Sequence, residues 1–266
     1  MGKIILITGA YSGFGKASAE SLAAQGHTVY GTSRKPQQDS NIHFVRMDVR
    51  DAASVRSGVE HIIEKEGKVD VAICNAGMGI GGSLELATQE EIQAQMQTNF
   101  IGCVNVCQQV LPYMRRQRCG KIINISSIGG VMGLPYQGFY SASKFAIEGF
   151  SEALSAEVKG FGITVSIVEP GDFKTSFTAR RLNSLTTMDD PDYGESFRRS
   201  LQLIEKEENG GLDPKVLAKK IERIVNSKHP KLRYPVANLE QRLSILLHNM
   251  LPGNWFVDVL RSYYKV

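Results

Sequence analysis

Two patterns alternate along the chain. Short, nearly unbroken apolar runs are separated by longer stretches of helix length: KIILITG (3–9), HTVYGTS (27–33), IHFVRMDV (42–49), VDVAICNAG (69–77), GKIINISS (120–127) and GITVSIVEPG (162–171). Runs rich in Ile and Val, without polar alternation, predict strands covered on both faces and hence a mostly parallel sheet. The stretch after Ala87 opens with Thr88 and carries Glu91 three residues on, a capping box. It closes with Arg115, Arg116 and Arg118, which suit the negative end of a helix dipole. Asp213-Pro214 predicts another helix start, with Asp as the cap and Pro in the first turn. Repeated strand–helix–strand units predict an α/β fold: a doubly wound parallel sheet of about seven strands, with helices on both faces and right-handed crossovers.

The pattern changes after Pro170-Gly171. Residues 172–211 are polar and irregular, and such a segment inside a compact domain is expected to be a substrate lid. Its apolar residues Leu182, Leu185, Met188, Phe197 and Leu201 are candidates either for a pocket wall or for ordinary core. Residues 228–266 form a C-terminal extension that is apolar and also basic, with six Lys and Arg against Glu240 and Asp258. Packing on the domain or on a partner subunit is the simpler expectation for it, and contact with a membrane surface the other.

Composition sets limits. A chain of 266 residues, 42% of them hydrophobic, fits one domain spanning 1–266. A net charge of +4 admits an anionic small ligand, and no Lys/Arg run is long enough to track a nucleic-acid backbone. The apolar start is too short for a signal peptide and leads straight into glycines. No stretch approaches the ~20 apolar residues of a membrane span. Cys74, Cys103, Cys107 and Cys119 form no CxxC pair and lack zinc-ligand spacing, so no metal is expected and a reducing, cytoplasmic setting is.

Candidate chemistry gathers in two places. ITGAYSGFG sets Thr8, Gly9, Gly13 and Gly15 directly after the first strand. Glycines let backbone approach a diphosphate, and a following helix N-terminus offers N–H groups and a positive dipole end. The bland alternative is a Gly-rich turn that binds nothing. In FYSASKFAIEGF, Tyr140 and Lys144 stand four apart, on one face of a helix. A neighbouring ammonium favours phenolate and lowers a tyrosine pKa from ~10 toward the range useful for proton transfer. Taken singly, Tyr140 also reads as a core aromatic and Lys144 as a solvated charge. Ser127 likewise reads as a strand-end cap, and Asn99 as a polar residue inside a helix.

Taken in order, these elements resemble the short-chain dehydrogenase/reductase family. TGxxxGxG occupies residues 8–15, and NAG is Asn75, Ala76 and Gly77. Asn99 follows, then Ser127 thirteen residues before a YxxxK pair, then Pro170-Gly171 with Thr175 downstream. The resemblance spans residues 3–178 and implies a Rossmann-type fold, a nicotinamide cofactor, and hydride transfer to or from a carbonyl or alcohol carbon. It implies Tyr140 as the acid/base, Lys144 as its electrostatic partner and ribose donor, and Ser127 on the substrate oxygen. Asn99 would hold a water linking Lys144 to solvent. Tyr11, Ser12 and Phe14 join the glycines at the cofactor, Asp48 approaches the adenine amino group with Val49 beside it, and Asn75, Ala76 and Gly77 line a ribose.

NAD-preferring enzymes place a carboxylate at the end of the second strand. Here that end is Ser33, followed by Arg34 and Lys35, which suit a 2′-phosphate, so NADP(H) is expected ahead of NAD(H). The tail is similar to the hydroxysteroid and retinol dehydrogenase branch, implying a steroid-, retinoid- or lipid-like substrate. The resemblance also implies a dimer or tetramer, built through the helices that begin near Thr88 and Tyr140. The alternative is a non-catalytic NADP(H)-binding sensor or scaffold on the same fold, against which the intact Ser127–Tyr140–Lys144 set weighs.

Overall fold

The computed structural model describes residues 2–35 and 41–266. Among them, one sheet contains seven strands: β1 (Ile4–Ile7), β2 (Thr28–Ser33), β3 (His43–Arg46), β4 (Val71–Cys74), β5 (Gly120–Ile125), β6 (Ile163–Pro170) and β7 (Arg233–Val236). All pair in parallel, in the order β3-β2-β1-β4-β5-β6-β7. The longer helices are α1 (Gly13–Ala24), α2 (Ala52–Glu66), α3 (Gln89–Met96), α4 (Gly102–Gln117), α5 (Gly138–Val158), α6 (Gly194–Asn209), α7 (Pro214–Asn226), α8 (Leu239–Met250) and α9 (Gly253–Tyr264).

The apolar runs are buried on both faces for a simple reason: successive side chains of a strand point to opposite sides. Leu6, Ala72, Ile122 and Val165 face a core completed by α2, α4 and α5, whereas Ile5, Ile7, Ile73 and Ile123 face one completed by α1 and α7. Strand order reverses between β1 and β4, and the crevice beyond the carboxyl ends at such a reversal is where open α/β sheets bind ligands. The predicted caps are present. Thr88 Oγ1 accepts from Glu91 N at 3.2 Å, the Glu91 carboxylate accepts from Thr88 N at 2.9 Å, and Asp213 caps α7 through Lys215 N. The helix opened by Thr88 is not continuous, because a π-helical turn, Gln97–Ile101, separates α3 from α4.

Two segments differ from their expected form. The C-terminal extension contains the seventh strand: Arg233 to Val236 pair with Ile167 to Pro170. Arg233 and Pro235 hide it from a pattern search, and both are tolerated because β7 lies at the sheet edge. Its two helices then fold back, burying Phe256 against Ile128 and Met132. The expected lid holds α6, whose Phe197 and Leu201 are core, packed on Tyr136, while Leu182 and Leu185 remain exposed and Met188 is half-buried. A short parallel pairing of Ile80–Gly81 with Leu182–Asn183 ties this segment to the loop after β4.

Candidate active site

The glycine turn is shaped for close approach. Gly9 and Gly13 adopt φ of +66° and +52°, conformations other residues rarely take. A Cβ on Gly15 would lie 2.4 Å from the Gly9 carbonyl oxygen and 2.5 Å from Asn75 Nδ2, so this glycine permits packing of helix on strand. No side chain caps the N-terminus of α1, and its first turn holds no acidic residue. Its leading N–H groups and positive dipole end therefore suit an anion, and a dinucleotide diphosphate fits this cradle.

A cleft of about 1220 Å³ opens above the carboxyl ends of the central strands. The structure brings most of the expected residues to its wall. The turn contributes Gly9, Tyr11, Ser12, Gly13 and Phe14; the end of β2 and the β3–α2 loop give Ser33, Arg34, Asp48 and Val49. Asn75, Ala76, Gly77, Ser127, Tyr140 and Lys144 form the floor, with Pro170, Gly171 and Thr175 on the far side. Thr8, Gly15, Lys35 and Asn99 do not line it. Thr8 acts behind the wall: its Oγ1 accepts from Asn75 N at 2.9 Å and from Ala76 N at 3.0 Å. The Asn75 amide donates back to Thr8 O at 2.8 Å, locking the loop after β4 onto the glycine turn.

At the adenosine end, Asp48 is not a free acceptor. Arg50 grips its carboxylate with Nε at 3.0 Å and Nη2 at 2.7 Å, holding Asp48 below the usual carboxylate range. Arg50 also lines the cleft beside Arg34. Its position in the chain gave no signal, because a single Arg in a loop belongs to no repeat or motif.

The catalytic candidates converge. Lys144 is buried, and its Nζ donates to the Ile125 carbonyl at 2.9 Å and lies 5.7 Å from the centre of the Tyr140 ring. Burial pulls the lysine down to about 8. Tyr140 departs from the tuning its spacing suggests. Burial pushes the phenol up to about 12, opposed by the Ser127 hydroxyl beside it. The Lys144 ammonium is instead engaged with the Ile125 carbonyl, and within the protein alone Tyr140 holds its proton at neutral pH.

Ser127 follows β5 directly, and its Oγ accepts from Gly129 N at 3.0 Å. Asn99 sits in the π-helical turn. Oδ1 accepts from Met78 N at 2.9 Å, and Nδ2 donates to Met78 O and Ser143 Oγ, both at 3.0 Å. The side chain thereby joins the loop after β4 to α5, the helix that carries Tyr140 and Lys144.

Three features have no counterpart in the motif reading. Cys74, on β4, meets Cys103 and Cys107 of α4, their thiols within 4.8 Å of one another in the core. Linear spacing cannot show that meeting. Asp172 lines the cleft, where burial and the like charges of Glu208 and Glu207 push its carboxyl up to about 7. Arg181 forms a buried ion pair with Glu208 in the same wall.

A Rossmann-type sheet with an anion cradle at its first turn, and a Tyr–Lys–Ser set lining the cleft at its switch point, defines a nicotinamide-dependent oxidoreductase. The chain belongs to the short-chain dehydrogenase family, whose model matches residues 3–185. It is 57% identical, over 99% of its length and 98% of the relative's, to a 3-ketodihydrosphingosine reductase of Bacteroides thetaiotaomicron. It is 32% identical to human 17-beta-hydroxysteroid dehydrogenase type 1, over 87% of this chain and 76% of that one. Among solved structures, a short-chain dehydrogenase from Streptomyces avermitilis superposes with a TM-score of 0.84 at 30% identity, covering 100% of this chain and 96% of that one.

Proposed function

We propose that this protein is an NADP(H)-dependent reductase of 3-keto long-chain bases, returning the corresponding secondary alcohol. The observation that carries the substrate is the 57% identity, end to end, with a 3-ketodihydrosphingosine reductase. The cleft agrees with a substrate having a polar head and a long apolar tail. Leu134, Leu243, Leu247, Phe256, Val259 and Leu260 give it an apolar wall, built largely by α8 and α9.

The cofactor's nicotinamide, when bound, would supply the hydride for the carbonyl carbon. Glycine-turn backbone and the α1 N-terminus would hold its diphosphate, with Asn75, Ala76 and Gly77 toward its ribose. Ser33 takes the place of a carboxylate, and Arg34 and Arg50 present guanidinium groups suited to a 2′-phosphate. Ser127 donates a hydrogen bond to the substrate oxygen and fixes its position. Tyr140 then gives its proton to that oxygen as negative charge develops. Lys144 stabilises the phenolate left on Tyr140 and would donate to the cofactor's ribose hydroxyls. The assembled form under this reading is a homo-oligomer paired through the helices that begin near Thr88 and Tyr140, α3–α4 and α5.

The test is reduction of 3-ketodihydrosphingosine, a 3-ketosteroid and retinal, each with NADPH and with NADH, followed by absorbance. The expected result is the highest kcat/KM for the long-chain base with NADPH. Turnover of steroid or retinal without turnover of the long-chain base would overturn the substrate, and a preference for NADH would overturn the cofactor.

A further inference from the structure

The cleft wall beside Tyr140 carries charge that the reduction chemistry does not use. On the side formed by the segment after β6, α6 and α8, the lining acids are Asp172, Glu207, Glu208 and Glu240, against Arg181 and Lys206. Lys206 is exposed, so Arg181 is the only buried cation of this group among the described residues. Arg180, the neighbouring cation, is turned away: it donates to Tyr11 Oη at 2.6 Å and Ser12 Oγ at 2.8 Å, over the glycine turn.

Arg181 is 8% exposed, and its Nη2 pairs with Glu208. Its Nη1 is buried and has no hydrogen-bond partner among the described residues. An orphaned guanidinium N–H in a cavity wall is costly unless a ligand oxygen meets it. Asp172 stands next to this pair with its two oxygens unequally engaged. Gln241 Nε2 donates to Oδ2 at 2.5 Å, while no hydrogen bond from the described residues reaches Oδ1. Gln241 Oε1 also accepts from Asp172 N at 3.2 Å, which fixes the carboxylate's direction from α8. The Phe177 ring links this group to the catalytic side: its centre is 5.9 Å from Arg181 Cζ and 6.0 Å from the centre of the Tyr140 ring, and all three residues line the cleft. The wall thus holds an excess of carboxylate and one unmet donor on the Tyr140 side of the cleft.

We propose that Asp172, together with the Arg181–Glu208 pair, forms a head-group subsite for an amino alcohol. The Asp172 carboxylate takes the ammonium group next to the ketone, and Arg181 Nη1 donates to the neighbouring hydroxyl oxygen. This deepens the proposed function and rests on it. A steroid or retinal ketone has no cation for the carboxylate and no adjacent hydroxyl for Arg181. The subsite therefore selects by leaving buried polar groups unmatched with the wrong substrate. It also orients the carbonyl, since a head group held on this side turns the ketone toward Tyr140 and the tail toward α8 and α9. Asp172 and Arg181 are here positioning and specificity residues, and the proton transfer remains with Tyr140.

The experiment compares two ketones of equal chain length, the 3-keto long-chain base and its analogue lacking the amino group, with wild type, Asp172→Asn and Asp172→Glu. Wild type is expected to favour the amino ketone by more than 30-fold in kcat/KM. Asp172→Asn is expected to reduce that preference about 30-fold, mainly through KM, as for truncation of one partner of a buried charge pair. Asp172→Glu should restore part of it. The dissociation constant of a long-chain amine, followed by Trp255 fluorescence or thermal shift, should rise in Asp172→Asn while that of a long-chain alcohol does not follow it. Equal use of both ketones by wild type, or an unchanged preference in Asp172→Asn, overturns the subsite and leaves the reductase reading standing. Reduction of other ketones but of neither long-chain ketone removes both.

Discussion

Thr8 offers a sharp test of how the fold builds its cofactor floor. It is 1% exposed and does not touch the cleft, yet its Oγ1 accepts from two successive backbone groups, Asn75 N at 2.9 Å and Ala76 N at 3.0 Å. Thr8→Val keeps the shape and removes the acceptor. Two N–H groups then lose their partner, each costing about 1–1.5 kcal/mol, the low end of the range because Asn75 and Ala76 are only half-buried. The sum of about 2–3 kcal/mol corresponds to a fall of roughly 5–10 °C in Tm for a chain of this size. Thr8→Ser keeps the acceptor and loses one buried methyl, about 0.8 kcal/mol, and so should fall only a few degrees. Differential scanning fluorimetry at fixed protein concentration separates the two. NADPH titration should show weaker binding for Thr8→Val than for Thr8→Ser, because Asn75 and Ala76 border the cleft. Equal Tm values for the two variants would refute the reasoning, since methyl packing rather than the shared acceptor would then account for Thr8.

Two further predictions concern the proton chemistry. Tyr140→Phe should lower kcat by about 10²–10⁴ while NADPH affinity stays within about twofold, measured by steady-state kinetics and cofactor fluorescence; retained turnover removes Tyr140 as the donor. Asp172 has a folded pKa of about 7, above its ordinary value of 3.8, through burial and the charges of Glu208 and Glu207, opposed by Gln241 and Arg181. The folded state therefore binds more protons between those values, and this group's contribution to stability falls as pH rises from about 4 to 7. Asp172→Asn should accordingly raise Tm at pH 8, with a benefit that shrinks toward pH 4; a benefit independent of pH would show that the buried charge is not its source.

Much of the architecture was legible because parallel strands covered on both faces leave unbroken apolar runs: β1 to β6 each coincide with one. The glycine turn and the Tyr140–Lys144 pair were legible because their function demands fixed residue types at fixed spacing. β7 was not, since an edge strand tolerates Arg233 and Pro235 and so loses the apolar signature. Arg50 and Asp172 were not legible because their roles depend on what lies opposite them in space: Asp48 in one case, Glu208 and Gln241 in the other. Tyr140 is the most instructive departure. Helical spacing correctly set Lys144 near it, but the phenol's burial and the Ser127, Glu208, Arg181 and Asp172 groups that act on it come from distant parts of the chain, and none of these is written in the spacing.

β7 has a consequence for how such proteins diverge. The strands that carry the glycine turn, Ser127 and the Tyr140 helix all lie within residues 3–185, the stretch shared across the family. The edge strand pairs with β6 on one side only, and after it come the two helices that wall the cleft. The apolar wall given by α8 and α9 and the Tyr140–Lys144 set thus occupy separate stretches of the gene. A lineage can rewrite the two helices beyond the last strand, reshaping that wall for a different apolar molecule, while selection on the reaction itself acts elsewhere. In evolutionary terms the sheet edge is a seam, along which one inherited reaction can be fitted to new molecules.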